Sequence, residues 1–129
     1  MTQPTVLVVG GGGREHALAC ALGAAKHNPK VVAAPGNPGV VQCFAVAATD
    51  VEGQVALAKS VQADLVVVGP EAPLVLGLAD RLREEGFDVL GPSAAAARLE
   101  GSKAFAKEVM VAAGVPTARY REVSTLEAA

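Results

Sequence analysis

Four apolar residues, Val6-Leu7-Val8-Val9, run without interruption into four glycines, Gly10 to Gly13, and a segment of helical spacing starts directly behind Arg14-Glu15-His16. No other stretch narrows the fold as much. A strand covered on both faces reads as a continuous apolar run, whereas a strand with one wet face alternates. Glycine lacks a Cβ, so the chain can turn with φ > 0 and leave its main-chain N–H groups open to a ligand. The order of buried strand, glycine turn and helix therefore predicts an α/β fold, with the turn's N–H groups at the positive end of a helix dipole. Such a turn suits an anion, most often a phosphate. The alternative is a tight turn that only joins strand to helix.

The rest of the chain repeats this punctuation. Ala17, Leu18, Ala21, Leu22 and Ala25 form a stripe that predicts a helix packed on the sheet, ended by Asn28-Pro29. Residues 31–34 read as a second strand, and Pro35-Gly36-Asn37-Pro38-Gly39 as a shaped loop. Phe44-Ala45-Val46 reads as a short third strand, with Asp50 as N-cap of a helix over 51–61. The strand at 64–68 runs into Gly69-Pro70-Glu71-Ala72-Pro73, and Leu74, Leu78 and Leu82 then recur along one helix closed by Gly86. A fifth strand at 88–90 precedes a helix capped by Ser93, and Ser102 opens another that stops at Gly114-Val115-Pro116; residues 119–123 read as extended.

Strands alternating with helices predict right-handed crossovers and a doubly wound, mainly parallel sheet. The turns at 10–13, 35–39 and 69–73 then share the carboxyl edge of that sheet, where ligands gather. Ser124-Thr125-Leu126-Glu127 has the form of a capping box with two residues behind it. We therefore expect the chain to be the front of a longer protein that is entering a second domain.

With 129 residues, 51% of them hydrophobic and no tryptophan, the chain suits one α/β domain with a core of Val, Leu and Ala. The net charge of −2 is scattered and no basic run is present, which argues against nucleic acid and anionic membranes as partners. No apolar stretch reaches the roughly 18 residues of a membrane helix, and Met1-Thr2-Gln3-Pro4 lacks the cationic start of a secretory signal, so the cytoplasm is the expected location. Cys20 and Cys43 have no CxxC spacing and read as buried, reduced thiols.

Several chemistries fail on spacing. A G-x-G-x-x-G fingerprint beginning at Gly10 would need glycine where Glu15 stands, and no Asp or Glu lies between His16 and Thr49 to hold ribose hydroxyls. A dinucleotide-binding module is thus the weaker alternative, beside a purely structural α/β domain. A P-loop lacks its Gly-Lys-Ser/Thr, and two histidines without a carboxylate cluster make neither a zinc site nor a hydrolase triad.

The remaining candidates suit a smaller phosphate ligand. Arg14 carries a guanidinium fork, or else starts a solvated helix. Glu15 serves the site or simply favours the dipole, and His16 either donates to an anion or packs against its apolar neighbours. Glu71, between Pro70 and Pro73, suits ribose hydroxyls or an amine, or is an exposed loop acid. Lys103 opens a helix against the dipole, which makes better sense beside a nucleotide phosphate than as a surface lysine.

Four motifs in order, Val-Val-Gly-Gly-Gly-Gly-Arg-Glu-His-Ala at 8–17, Ala-Pro-Gly-Asn-Pro-Gly at 34–39, Asp-Leu-Val-Val-Val-Gly-Pro-Glu-Ala-Pro-Leu at 64–74 and Leu-Glu-Gly-Ser-Lys-Ala-Phe-Ala-Lys at 99–107, closely resemble the glycinamide ribonucleotide synthetase (phosphoribosylamine–glycine ligase) family of ATP-grasp ligases. The resemblance implies a pre-ATP-grasp, Rossmann-like domain over 1–100 that helps hold the ribose-phosphate substrate. Residues 101–129 would be a linker helix and the start of the ATP-grasp region. It also implies the chemistry of purine biosynthesis: glycine, activated by ATP with magnesium as glycyl phosphate, is joined to 5-phosphoribosylamine to give glycinamide ribonucleotide, ADP and phosphate. With the readings above, it puts substrate contacts at Gly10, Gly11, Gly12, Gly13, Arg14, Glu15, Pro35, Gly36, Asn37 and Glu71, and an ATP phosphate contact at Lys103. The family's magnesium carboxylates lie far downstream, so no catalytic or metal residue is assigned here and the chain alone is expected to be inactive.

Overall fold

A computed structural model of the chain describes residues 3–40 and 42–125. At its centre lies β1 (Thr5–Gly10), flanked by β2 (Lys30–Pro35) on one side and by β3 (Leu65–Val68) and then β4 (Asp88–Leu90) on the other, with every pairing parallel. Thr5 and Asp64 clamp the entry edge of β1 and β3. The Thr5 N–H donates to the Asp64 carboxylate at 2.7 Å, and the Asp64 N–H donates back to the Thr5 carbonyl at 2.9 Å.

All six residues of β1 are buried, as its unbroken apolar run predicts. Successive side chains point to opposite faces, so the strand feeds two cores. Leu7 and Val9 join Val32, Val66 and Val68 beneath α2 (Val51–Ser60), α3 (Glu71–Val75), α4 (Leu78–Glu84) and Ala97 of α5 (Ala94–Gly101). On the other face Val6 and Val8 join Ala33 and Val67 against Ala19 of α1 (Gly13–Gly23). The sheet is doubly covered, as expected. Asp50, Ser93 and Ser102 cap α2, α5 and α6 (Lys103–Ala112) by accepting from the N–H groups of Gly53, Ala96 and Phe105.

Several local readings change. α1 ends at Gly23, before Asn28-Pro29, and Asn28 takes φ 42 in the turn that follows. Its inward face is Glu15, Leu18, Ala19 and Leu22, while Ala17 and Ala21 face solvent. Alanine favours a helix on either face and buries little area, so it marks a face poorly. Phe44–Val46 forms no strand: Cys43 makes one bridge to Ala33, the chain then bends, and Phe44 and Val46 pack into the core from a loop. The sheet therefore has four strands among the described residues, not five.

The helix read through Leu74, Leu78 and Leu82 is two helices, broken where Gly77 takes φ +88. All three leucines are still buried, because the break turns the second helix without changing the face that meets the sheet. Cys20 and Cys43 are free thiols as expected, but exposed ones. Residues 119–123 pair with no strand, and the capping box read at 124–127 extends outside the described residues.

α2 and α4 are tied by charge at their rim. Lys59 and Arg81 both reach the Glu85 carboxylate, Arg81 at 2.6 Å, and Arg81 also bonds Glu52 at 3.1 Å. Hydrogen bonding from Lys59 first, then from Arg81, holds the Glu85 carboxyl below its ordinary value. A carboxyl depressed in the folded state stabilises the fold above its unfolded pKa, and that contribution is lost as pH falls through the folded value. Urea denaturation should accordingly find Glu85→Gln less stable than the parent at neutral pH, with the gap closing in acid and shrinking in high salt. A gap that is independent of pH would remove the ion pairs as its cause.

Candidate functional site

The strand order reverses at β1. Chain leaving β1 crosses to β2 on one side, and chain leaving β3 crosses to β4 on the other, so the carboxyl ends of β1 and β3 flank a topological switch point. In open parallel sheets the ligand crevice lies there. The turns that follow β1, β2 and β3 meet at this edge. The Gly36 N–H donates to the Gly10 carbonyl at 3.1 Å, and Asn37 Nδ2 donates to the carbonyls of Gly11 and Gly12 at 3.3 and 3.5 Å. A Cβ on Gly11 would lie 2.6 Å from the Gly36 carbonyl oxygen, so at this point the two turns touch backbone to backbone.

Glu15 joins the first turn to the third. The residue is only 5% exposed, and its side chain folds back under the glycine turn, where its carboxylate accepts from the Gly12 N–H at 2.8 Å and from Arg14 Nε at 3.0 Å. Its far side rests on Gly69, where a Cβ would stand 2.1 Å from Oε1. A Cβ at Gly10, which has φ +122, would stand 2.6 Å from Glu15 Cγ and 2.9 Å from Pro70. Glycine at 10 and 69 is thus imposed by the acid packed between them.

This placement sorts the predicted contacts. Gly10 is buried at the end of β1, and the Gly12 N–H is taken by Glu15. Among the described residues the N–H groups of Gly11, Gly13 and Arg14 find no acceptor, and all three residues are exposed. Those of Gly13 and Arg14 are orphan donors of a helix start, and that of Gly11 lies just before the N-cap. Arg14 is held at Nε, while its two terminal nitrogens make no bond among the described residues. It also stands on the wall of a groove of about 590 Å³ that continues past Leu18, Val68 and Gly69 to Arg83 and Leu90.

The second turn contributes differently. Pro35 is exposed at the end of β2 and Gly36 packs on Cys43, while Asn37 spends its side chain within the protein: Oδ1 accepts from the Gly39 N–H at 2.9 Å and meets His16 Nδ1 at 3.1 Å. Glu71 is the first residue of α3, exposed, and faces Glu100 across a groove of about 410 Å³. The contacts from its turn to the glycines come from Gly69 and Pro70 instead. Lys103 begins α6 in another groove of about 290 Å³, with Lys107, Tyr120 and Arg121. Sequence reasoning missed Gly69 as the seat of Glu15. Its signal was present, a second glycine directly after a second buried strand.

No group of three or more His, Cys, Asp or Glu gathers to hold a metal among the described residues, and no described helix is long and apolar enough to cross a membrane.

A parallel, doubly wound sheet with three turns joined at its switch point defines a Rossmann-like α/β domain. The same fold occurs in a solved structure described as glycinamide-RNase-transformylase T from Mycobacterium tuberculosis, with a TM-score of 0.70 and 24% identity over 89% of this chain and 37% of that one. The sequence profile of the phosphoribosylglycinamide synthetase N domain matches residues 4–100, and the chain belongs to that family. A Phenylobacterium zucineum protein named phosphoribosylamine–glycine ligase is 53% identical over 127 residues, 96% of this chain and 30% of its own length. The protein of that name from Streptomyces coelicolor is 57% identical over 117 residues, 88% of this chain and 28% of its own. The chain thus spans about 30% of the length of the curated relatives it matches.

The packing of Glu15 separates two glycines of similar appearance. Gly69→Ala drives a methyl group into the Glu15 carboxylate and should lower stability in urea by about 2 kcal/mol, the scale of overpacking a tight site. Gly13→Ala meets nothing within 4 Å at the first position of α1 and should be neutral or slightly stabilising. Equal effects at the two positions would contradict the packing.

Proposed function

We propose that the chain is the amino-terminal part of a phosphoribosylamine–glycine ligase, and that its strand-end turns hold the phosphate and ribose of 5-phosphoribosylamine. The observation that carries this reading is the group of unpaired N–H donors at Gly11, Gly13 and Arg14 in the turn at the switch point, on the same turn as an Arg14 guanidinium whose terminal nitrogens are unbonded among the described residues. Helix-start amides and a guanidinium fork together suit a phosphate dianion, since they supply directed donors and a fixed positive charge. Residues 1–100 act as this substrate-holding domain, and 101–129 as the linker helix and the beginning of the ATP-grasp region. Glu71 is proposed to reach a ribose hydroxyl or the substrate amine when the rest of the ligase closes the site.

In the proposed reaction the γ-phosphoryl group of ATP passes to the glycine carboxylate, giving glycyl phosphate and ADP. The amine of phosphoribosylamine then attacks the acyl carbon and displaces phosphate. The groove around Tyr120, lined by Lys103, Lys107 and Arg121 together with Glu122, carries a net positive charge suited to a polyanion: Lys107 is engaged by Thr117 and by the Ala118 carbonyl, while Lys103 is exposed on its wall and is proposed to contact ATP phosphates. The described residues offer no cluster suited to magnesium, and no step is assigned through that ion to this chain. Its part is to fix the amine substrate in place, which lowers the entropic barrier to attack. Cytoplasmic operation and small-molecule partners follow from this reading.

A dinucleotide module is disfavoured on position. An acid at the end of the second strand would grip the ribose of such a cofactor, and β2 ends in Ala34-Pro35 followed by Gly36. In the full-length ligase, Arg14→Ala should raise KM for phosphoribosylamine about tenfold, the cost of a charge-assisted contact, with KM for ATP within about twofold. Glu71→Ala should move KM in the same direction, and more for phosphoribosylamine than for ATP. Unchanged KM values, or NADH binding without ATP turnover, would overturn the reading.

A further inference from the structure

We infer that Asn37 is a positioning residue of the glycine turn, not a substrate contact, and that it fixes the neutral His16 imidazole as its Nδ1–H tautomer. Its kinetic consequence rests on the function proposed above; its geometry does not.

The orientation of the Asn37 carboxamide follows from what surrounds it. Nδ2 faces the carbonyl oxygens of Gly11 and Gly12, which only accept, and Oδ1 faces the Gly39 N–H at 2.9 Å, which only donates. Turning the amide over would set oxygen against two carbonyls and NH₂ against an N–H, losing all three interactions. Oδ1 is therefore an acceptor, and His16 Nδ1, 3.1 Å away, must carry the proton between them. A free neutral imidazole prefers its proton on Nε2, so the protein selects the less favoured form. Gly39 lets the ring approach, since a Cβ there would lie 1.8 Å from His16 Cε1.

The effect on the site passes through two peptide planes. In a trans peptide the carbonyl of one residue and the N–H of the next point in opposite directions. Asn37 draws the carbonyls of Gly11 and Gly12 towards the second turn. The Gly12 N–H is thereby directed away from Asn37 and towards Glu15, which binds it. The Gly12 carbonyl also accepts from the His16 N–H at 3.0 Å, the first bond of α1, so helix and Asn37 together turn the Gly13 N–H, which is one of the donors without an acceptor. Asn37 thus adds to the first bond of α1 in directing a proposed phosphate donor without touching the ligand.

Long-range ¹H–¹⁵N correlation spectra of the His16 ring in this chain read the tautomer directly. The expected pattern has the proton on Nδ1 in the parent and shifts towards Nε2–H in Asn37→Ala. An Nε2–H pattern in the parent would overturn the inference whether or not the variant folds. In the full-length ligase, Asn37→Ala should raise KM for phosphoribosylamine about tenfold, on the scale of one lost hydrogen bond, with kcat and KM for ATP within about twofold. Asn37→Asp should raise it at least as far, because its second oxygen faces the two carbonyls. Loss of the Nδ1–H form with an unchanged KM would overturn the positioning role. If Arg14→Ala also leaves KM unchanged, it is the function reading that fails, while the ring spectra still judge the Asn37–His16 geometry.

Discussion

The carboxylate of Glu15, buried beneath a turn of four glycines, is the constraint on which the rest of this edge depends. A carboxylate withdrawn from water must be matched by donors, and it finds them in the Gly12 N–H and Arg14. It also occupies space, so the strand ends on either side of it can carry no Cβ at Gly10 or Gly69. One side chain thereby couples the turn after β1 to the turn after β3 and pins Arg14 by Nε. The glycine run is shaped from within, by an acid that needs room, as much as by any ligand outside.

The second turn completes that shape from the opposite side. Glu15 takes one amide of the glycine run, and Asn37 takes the carbonyls of Gly11 and Gly12. Between these opposed pulls the peptide planes have little freedom, and the exposed residues Gly11, Gly13 and Arg14 are among those whose donors are left over. Because the sheet order reverses between β2 and β3 around β1, the leftover donors stand at the crevice where neighbouring strands part. Fold and turn are in this sense one arrangement: two parallel crossovers diverge from a central buried strand, and Glu15 fills the space between the strand ends.

Much of this was legible in the residues. The buried strands β1 and β3 follow from uninterrupted apolar runs, and the caps at Asp50, Ser93 and Ser102 follow from their side-chain oxygens at helix starts. That three turns share one edge follows from parallel alternation. What failed did so where local signals are weak. The alanine stripe on α1 could face either way, and the inward side was decided by Glu15, Leu18 and Leu22. Phe44 and Val46 are apolar enough for a strand, yet they fill the core from a bent loop. Gly77 sits inside an intact leucine repeat, so its break was invisible to periodicity. The roles of Glu15 and Asn37 were hidden for a further reason: Asn37 was read as facing a ligand and Glu15 as serving the site or favouring the dipole, and which partner a polar side chain finds is set by residues from other turns.

The central claim is that backbone donors at this edge are divided into those already used and those left for an anion. An ¹H–¹⁵N titration of the chain with ribose 5-phosphate tests it most directly. The account predicts saturable shifts at the amides of Gly11, Gly13 and Arg14, with the Gly12 amide, already bound by Glu15, moving least. Shifts led by Gly12, shifts centred on Lys103, or no saturable shift at this turn would contradict it.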